Sequence, residues 1–252
     1  VRVFLTGASS GIGEALARYY ASRGASLGLL ARRADFLANL KSSLGVAVEV
    51  YPCDVRDLAA VKAAAEDFTA RQGLPDIVIA NAGISHGTLV ENESDVDTFR
   101  QIMDINVMGI VNAFHPFIEP MRARGSGTLV GIASVAGYRG FPGAGAYSAS
   151  KAAAIRFCEA QRLELRGTGV KVVTICPGYI ETPMTEKNPY PMPFLMPVEK
   201  FVTRCGRAID SGTSLAVIPW QMAIVARLLT ILPNALFDAV FSRAGRKPRA
   251  GH

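Results

Sequence analysis

Val1-Arg-Val-Phe-Leu-Thr6-Gly7-Ala-Ser-Ser-Gly11-Ile-Gly13 is the stretch whose reading decides the fold. Val1 to Leu5 is a short apolar run that reads as a buried strand, and Glu14 to Ser22 is amphipathic and reads as a helix. Between them lie three glycines in seven residues. Glycine tolerates positive φ and lets a ligand approach the backbone. The start of the following helix offers free N–H groups and a partial positive charge to a pyrophosphate. A tight strand-to-helix turn without a ligand would use similar residues, but the strand, glycine-rich turn and helix in succession favour the ligand.

Working outward, the chain repeats strand and helix. Strands are predicted over 1–6, 26–31, 46–52, 76–80, 127–133, 170–176 and 214–219, and helices near 11–23, 34–43, 57–71, 95–122, 147–166 and 198–210. Runs such as Ile77-Val-Ile-Ala80 and Val170-Lys-Val-Val-Thr-Ile175 suit strands covered on both faces. Right-handed crossovers then give one α/β domain over 1–252, a Rossmann fold with a doubly wound, seven-stranded parallel sheet and helices on both faces. Ligands of such sheets bind beyond the carboxyl ends of the strands, so Gly7, Asn81, Ser134 and Pro177, each following a strand, are expected to converge.

Tyr147 and Lys151 stand four residues apart, about one helical turn, in Ala146-Tyr-Ser-Ala-Ser-Lys-Ala152. A cation beside a phenol favours the phenolate, so the pair reads as a tuned acid/base, with an ordinary surface pair as the alternative. With the Gly7-Ala-Ser-Ser-Gly11-Ile-Gly13 loop, Asp54-Val55, Asn81-Ala82-Gly83, Asn106, Ser134, Pro177-Gly178 and Thr182 in order, the chain resembles the short-chain dehydrogenase/reductase family over roughly residues 1 to 220.

That resemblance implies a role for each matching residue. Gly7, Ser9, Ser10, Gly11, Ile12 and Gly13 would hold the cofactor pyrophosphate and its surroundings. Asp54 and Val55 would hold the adenine, and Asn81, Ala82 and Gly83 would line the cofactor and support the sheet. Pro177, Gly178, Ile180 and Thr182 would meet the nicotinamide. Lys151 would bind the nicotinamide ribose and tune Tyr147. Ser134 and Tyr147 would bond the substrate oxygen, with Tyr147 supplying the proton, and Asn106 would interrupt its helix and hold a water that relays protons through Lys151. The implied activity is hydride transfer between a nicotinamide and a carbonyl or secondary alcohol. A homodimer or homotetramer through the helices bearing Asn106 and Tyr147 is implied as well. A non-catalytic nucleotide sensor on the same fold is the alternative, and retention of Asn106, Ser134, Tyr147 and Lys151 argues against it.

The cofactor's identity is read from charge. An acid at the end of the second strand would bond the free ribose hydroxyls of NAD. Here Ala31-Arg32-Arg33 follows Ser26-Leu-Gly-Leu-Leu30. Guanidinium is a permanently charged fork suited to a 2′-phosphate. NADP(H) is therefore expected, with Ser9 contributing a hydroxyl. The chain departs from many NADPH-preferring relatives in carrying Ser10 where they carry a base.

Composition agrees with one core: 252 residues, 50% hydrophobic and 19% charged. Val1 already lies in the first predicted strand, so no signal peptide is expected. Cys53, Cys158, Cys176 and Cys205 are scattered, which favours free thiols in a reducing, cytoplasmic compartment. His86, His115 and His252 have no metal-site spacing, and no metal is expected.

A substrate lid is expected over 182–212. Met184, Tyr190, Met192, Phe194, Leu195 and Met196 make it apolar, with Tyr138 and Phe141 as an opposite wall, and suggest a bulky apolar substrate unless they only pack the lid down. A C-terminal helical extension is expected over 221–243, broken at Pro233-Asn234, and a basic tail over 244–252. From Lys200 onward eight bases face only Asp210 and Asp238, which accounts for the chain's net +6. These helices are read as covering the pocket or a subunit interface, with peripheral contact to an anionic membrane through 221–252 as the alternative. The charge is local and without a recognition motif, so nucleic-acid binding is not expected.

Overall fold

A computed structural model describes residues 1–186, 188–242 and 245–249. The first half runs β1 (Arg2–Thr6), α1 (Gly11–Ala21), β2 (Ser26–Ala31), α2 (Ala34–Ser43), β3 (Val48–Pro52), α3 (Leu58–Gln72) and β4 (Ile77–Ala80). There follow α4 (Glu93–Met103), a π-helical turn (Asp104–Met108), α5 (Gly109–Arg124), β5 (Gly127–Ile132), a 3-10 turn (Val135–Gly137), α6 (Gly145–Glu164) and β6 (Val170–Pro177). The chain continues through α7 (Pro183–Glu186), α8 (Val198–Ser211), β7 (Leu215–Ile218), α9 (Trp220–Ile231) and α10 (Asn234–Phe241).

The seven strands form one parallel sheet in the order β3-β2-β1-β4-β5-β6-β7. The order reverses between β1 and β4, which opens the crevice where such sheets take ligands. Successive strand side chains point to opposite faces. Val3, Leu5, Leu27, Leu29, Ile77, Ile79, Val130, Ile132, Val173 and Ile175 accordingly meet α1, α2 and α8 on one face. Phe4, Leu30, Val78, Ala80, Leu129, Val172 and Cys176 meet α3, α5 and α6 on the other. Both faces are covered, which is why the strands read as continuous apolar runs rather than alternating ones.

Two expected elements differ in detail. The single helix over 95–122 is two helices with five π-helical residues between them, centred on Asn106. Its side chain explains the break. Asn106 Oδ1 accepts from the Ile84 N–H at 2.8 Å, and Nδ2 donates to the Ile84 carbonyl and Ser150 Oγ, each at 3.0 Å. The wider turn aims the amide across at the loop after β4.

The helical extension expected over 221–243 is not an extended apolar helix, and its expected break at Pro233-Asn234 is present. It is α9 and α10, joined at Leu232-Pro233, because Pro233 lacks the N–H that would continue the ladder. No helix among the described residues is long and apolar enough to cross a membrane. Arg139 holds the junction: its guanidinium donates to the carbonyls of Leu229 and Leu232, both at 3.2 Å, and to Asn234 Oδ1 at 2.7 Å. It also lies 4.3 Å from the Phe237 ring centroid. A cation at the C-terminal carbonyls of α9 opposes the helix dipole. Arg243 and His252 of the expected extension and tail lie outside the described residues, as does Lys187 of the expected lid.

Candidate active site

The glycine turn is held from behind. Thr6 Oγ1 accepts from the N–H groups of Asn81 (3.1 Å) and Ala82 (3.2 Å), while Asn81 Nδ2 donates to the carbonyls of Thr6 (3.1 Å) and Gly7 (3.2 Å). The end of β4 is thereby stapled to the end of β1. Gly7 has φ +69° and Gly11 φ +57°. At Gly13 a Cβ would fall on the Gly7 carbonyl oxygen and the Asn81 amide. Gly13→Val is therefore expected to lower the thermal midpoint by several degrees and to weaken dinucleotide binding. Thermal unfolding with and without cofactor checks both.

The loop forms one end of a cleft of about 370 Å³. Gly7, Ser9, Ser10, Gly11 and Ile12 line it, with Arg32 and Arg33 from the end of β2 and Asp54 and Val55 after β3. Asn81, Ala82 and Gly83 form its floor. Ser134, Tyr147 and Lys151 close the far end with Pro177, Gly178, Ile180 and Thr182. Of the residues singled out from the sequence, Gly13 and Asn106 stand behind this lining. Asn106 still reaches it indirectly, because a Cβ on Gly83 would lie 3.2 Å from Asn106 Oδ1 and 3.5 Å from Lys151 Nζ.

At the β2 end, the Arg33 guanidinium donates to Ser9 Oγ and the Ser9 carbonyl, each at 3.0 Å, and lies 4.1 Å from the Phe36 ring centroid. Ser9 and Arg33 thus share one corner. Asp54, expected to hold the adenine, is also engaged by its own loop. Arg56 Nη2 donates to it at 2.8 Å and, with the Arg56 N–H, holds its carboxyl below the usual range.

At the other end, Ser134 caps the 3-10 turn by accepting the Ala136 N–H at 3.1 Å. Tyr147, on the first turn of α6, remains partly exposed. Burial raises its phenol pKa, and a hydrogen bond with the Ser134 hydroxyl pulls it down. Lys151, one turn along, is 4% exposed and donates to the Ile132 carbonyl at 2.9 Å. Burial depresses its pKa to about 8, with the thiols of Cys176 and Cys158 opposing that. The direction at Tyr147 therefore differs from the expected lowering by Lys151. The ammonium is 5.8 Å from the ring centroid and bonds a carbonyl at the end of β5, not the phenol oxygen.

Among the described residues, those lining the cleft from the expected 182–212 lid come only from its start, Thr182–Thr185. A parallel bridge of Ile180 with Met196 closes the loop at its base, where Met196 is buried in the core. The second half is α8, whose Phe201, Val202, Cys205 and Ile209 are buried against the body. Met184 lines the cleft although it is exposed, as Phe194 and Leu195 are. Phe141 is engaged by Phe237 and Phe241, with centroids 5.9 and 5.5 Å away, and so anchors α10 instead of forming an open wall.

Sequence reasoning passed over Ile84, Ile105, Ile132, Ala133 and Cys53, which also line the cleft. These are ordinary strand-end and helix residues with no polar signal. It also left Lys247 in a basic tail, whereas Lys247 Nζ lies 5.1 Å from the Tyr147 ring centroid.

Residues 2–191 match the family described as short chain dehydrogenase. The chain belongs to the short-chain dehydrogenase family. As a short-chain dehydrogenase it is an oxidoreductase working between alcohol and carbonyl with a nicotinamide cofactor. It is 40% identical over 242 residues, 95% of each chain, to a Myxococcus xanthus protein described as "Uncharacterized oxidoreductase". It is 38% identical over 185 residues, 73% of this chain and 74% of the other, to 2-dehydro-3-deoxy-L-rhamnonate dehydrogenase (NAD(+)) of Sphingomonas. Levodione reductase superposes with a TM-score of 0.80 at 25% identity, covering 88% of this short-chain dehydrogenase and 97% of that chain.

Proposed function

We propose that this chain is an NADP(H)-preferring carbonyl reductase or secondary-alcohol dehydrogenase in which Ser134, Tyr147, Lys151 and Asn106 form the catalytic set. The observation that carries the reading is the convergence of Ser134, Tyr147 and Lys151 at one end of the cleft whose other end is the glycine loop. The residues present fit a dinucleotide: positive-φ glycines, an open helix start and a guanidinium beside a serine line one continuous groove. Gly7, Ser10, Gly11 and Ile12 would hold its pyrophosphate, Val55 and Asp54 its adenine, and Pro177, Gly178, Ile180 and Thr182 its nicotinamide, which supplies or accepts the hydride.

The chain's own groups do the rest. The hydroxyls of Ser134 and Tyr147 bond the substrate oxygen and stabilise the negative charge that develops on it during reduction. Tyr147 gives that oxygen its proton, and Lys151, poised near neutrality by burial, supports the transfer. Asn106 fixes the loop at Ile84 and, through Ser150, the α6 turn that carries Tyr147. Oxidation runs the same path in reverse. The four free cysteines fit a reducing, cytoplasmic location. Exposed Trp220, Ile224, Leu228, Leu236 and Val240 on α9 and α10 fit a homo-oligomer.

Cofactor choice is tested at Arg33. Arg33→Asp is expected to lower the NADPH-over-NADH ratio of kcat/KM about tenfold to a hundredfold. A hydrogen bond to a charged group is worth about 1.5–3 kcal/mol, and the new carboxylate would repel the 2′-phosphate. An unchanged ratio would move phosphate recognition away from Arg33. Turnover itself is assayed by NADPH absorbance over a series of ketones and aldehydes. Absence of turnover across a broad series, with cofactor bound, would overturn the reading.

A further inference from the structure

Residues 245–249 of the basic tail fold back beside Tyr147, outside the residues that line the cleft. The Gly87 N–H donates to the Pro248 carbonyl at 2.7 Å, and Gly87 forms a parallel bridge with Arg249. The Arg249 guanidinium grips Asp95 through Nε at 2.8 Å and Nη2 at 3.0 Å, and reaches Ser94 Oγ at 3.3 Å. Beneath it, the Thr88 N–H donates to the Gly143 carbonyl at 2.9 Å, joining the loop after β4 to the loop before α6. Arg246 lies against Gly143, and Gly245 against Tyr190. Residues 245–249 are therefore a strap tied across three segments around Tyr147.

The strap's consequence is the position of Lys247. Two ammonium groups flank one phenol ring, Lys151 at 5.8 Å and Lys247 at 5.1 Å from its centroid. They are not equivalent. Lys151 is satisfied by the Ile132 carbonyl, whereas Lys247 has neither a hydrogen bond nor an ion pair among the described residues. Burial pushes its pKa down to about 8. An ammonium drawn partly out of water with only a ring face beside it, and no hydrogen-bond or ionic partner, is unfavourable, and an anion beside it would offset that cost. The other nearby cations do not share the task, since Arg249 is paired with Asp95 and Arg246 is exposed.

We propose that Lys247 anchors a carboxylate on the substrate, so that the preferred substrates are oxo acids or the corresponding hydroxy acids. The inference rests on the reductase reading above and adds the substrate class. A single ammonium balances a single negative charge, which favours a carboxylate over a dianionic phosphate. Its closeness to Tyr147 places the anion only a few bonds from the reacting carbonyl. The apolar Met184 remains available to the body of the substrate.

The test pairs 4-oxopentanoate with its methyl ester, and 5-oxohexanoate with its methyl ester, on the full chain. Wild type is expected to favour each acid over its ester in kcat/KM. That preference falls at least tenfold in Lys247→Met, is retained in Lys247→Arg, and inverts in Lys247→Glu. Equal use of acid and ester by wild type, or a preference unaltered by Lys247→Met, would overturn the inference. Calorimetric titration of 4-oxopentanoate into wild type and Lys247→Met, both with NADP bound, gives a readout independent of turnover. Equal binding to both, or binding to neither, also overturns the anchor. Lys247-dependent binding without reduction of any substrate overturns the reductase reading and leaves the anchor standing.

Discussion

Tyr147→Phe is expected to lower kcat by about a hundredfold to ten-thousandfold while leaving dinucleotide affinity within a few-fold of wild type. The substitution removes one oxygen and keeps the ring. The ring contacts with Lys151 and Lys247 therefore survive, as does the backbone bond from Ser150 Oγ to the Tyr147 carbonyl. On the proposed mechanism, what disappears is the proton donor and one of the two hydroxyls that stabilise charge on the substrate oxygen. Ser134 is left alone with that charge, and its hydroxyl loses the phenol it bonds. Because the lost interaction belongs to the transition state, kcat and kcat/KM should fall together with little change in KM. Steady-state kinetics and a fluorescence titration of cofactor measure the two halves. Near-normal turnover would remove Tyr147 from the mechanism.

Lys151→Met should separate activity from stability. Turnover is expected to fall by about a hundredfold or more, as the group supporting the phenol is lost. The cofactor-free protein should nevertheless become more stable at neutral pH. Lys151 is depressed from its usual 10.5 to about 8 by burial. Below pH 8 both folded and unfolded chains carry the charge, and the folded chain bears the full cost of burying it. Between pH 8 and 10.5 the unfolded chain binds more protons, so stability rises with pH; above that window the cost is gone. The shift corresponds to about 3 kcal/mol, less about 1 kcal/mol for the lost bond to the Ile132 carbonyl. Urea unfolding across this range should show the mutant ahead at pH 7 and the advantage vanishing by pH 10.5. A mutant less stable than wild type at pH 7 would show that the Ile132 bond outweighs the burial cost.

The two substitutions also separate the lysines. If Lys247 carried the tuning role at Tyr147, Lys151→Met would spare turnover and Lys247→Met would abolish it for acids and esters alike.

How legible this protein was depended on how local each signal is. The strand–glycine–helix start, the seven strands and the four-residue spacing of Tyr147 and Lys151 are set by neighbours in sequence: apolar runs, positive-φ glycines and one helical turn. The break at Asn106 was readable as to place, but its π-helical form follows from a hydrogen-bond partner, Ile84, 22 residues away. The pKa of Tyr147 was not readable, because burial raises it and the opposing pull comes from the Ser134 hydroxyl, not from the lysine one helical turn away.

By itself the sequence determined the parallel doubly wound sheet, because period and glycine placement are local properties, while the polar residues of its crevice were legible through the ordered motifs that resemble the family. Only the tertiary structure decided where residues 245–249 of the basic C-terminus sit. Arg249 and Asp95 are 154 residues apart, and no periodicity links a tail to the loop it crosses. A charge that reads as part of a basic tail becomes a partly buried cation beside Tyr147 once chain closure brings the strap there. Its energetics depend on the dielectric and partners it meets there, not on its neighbours in the chain.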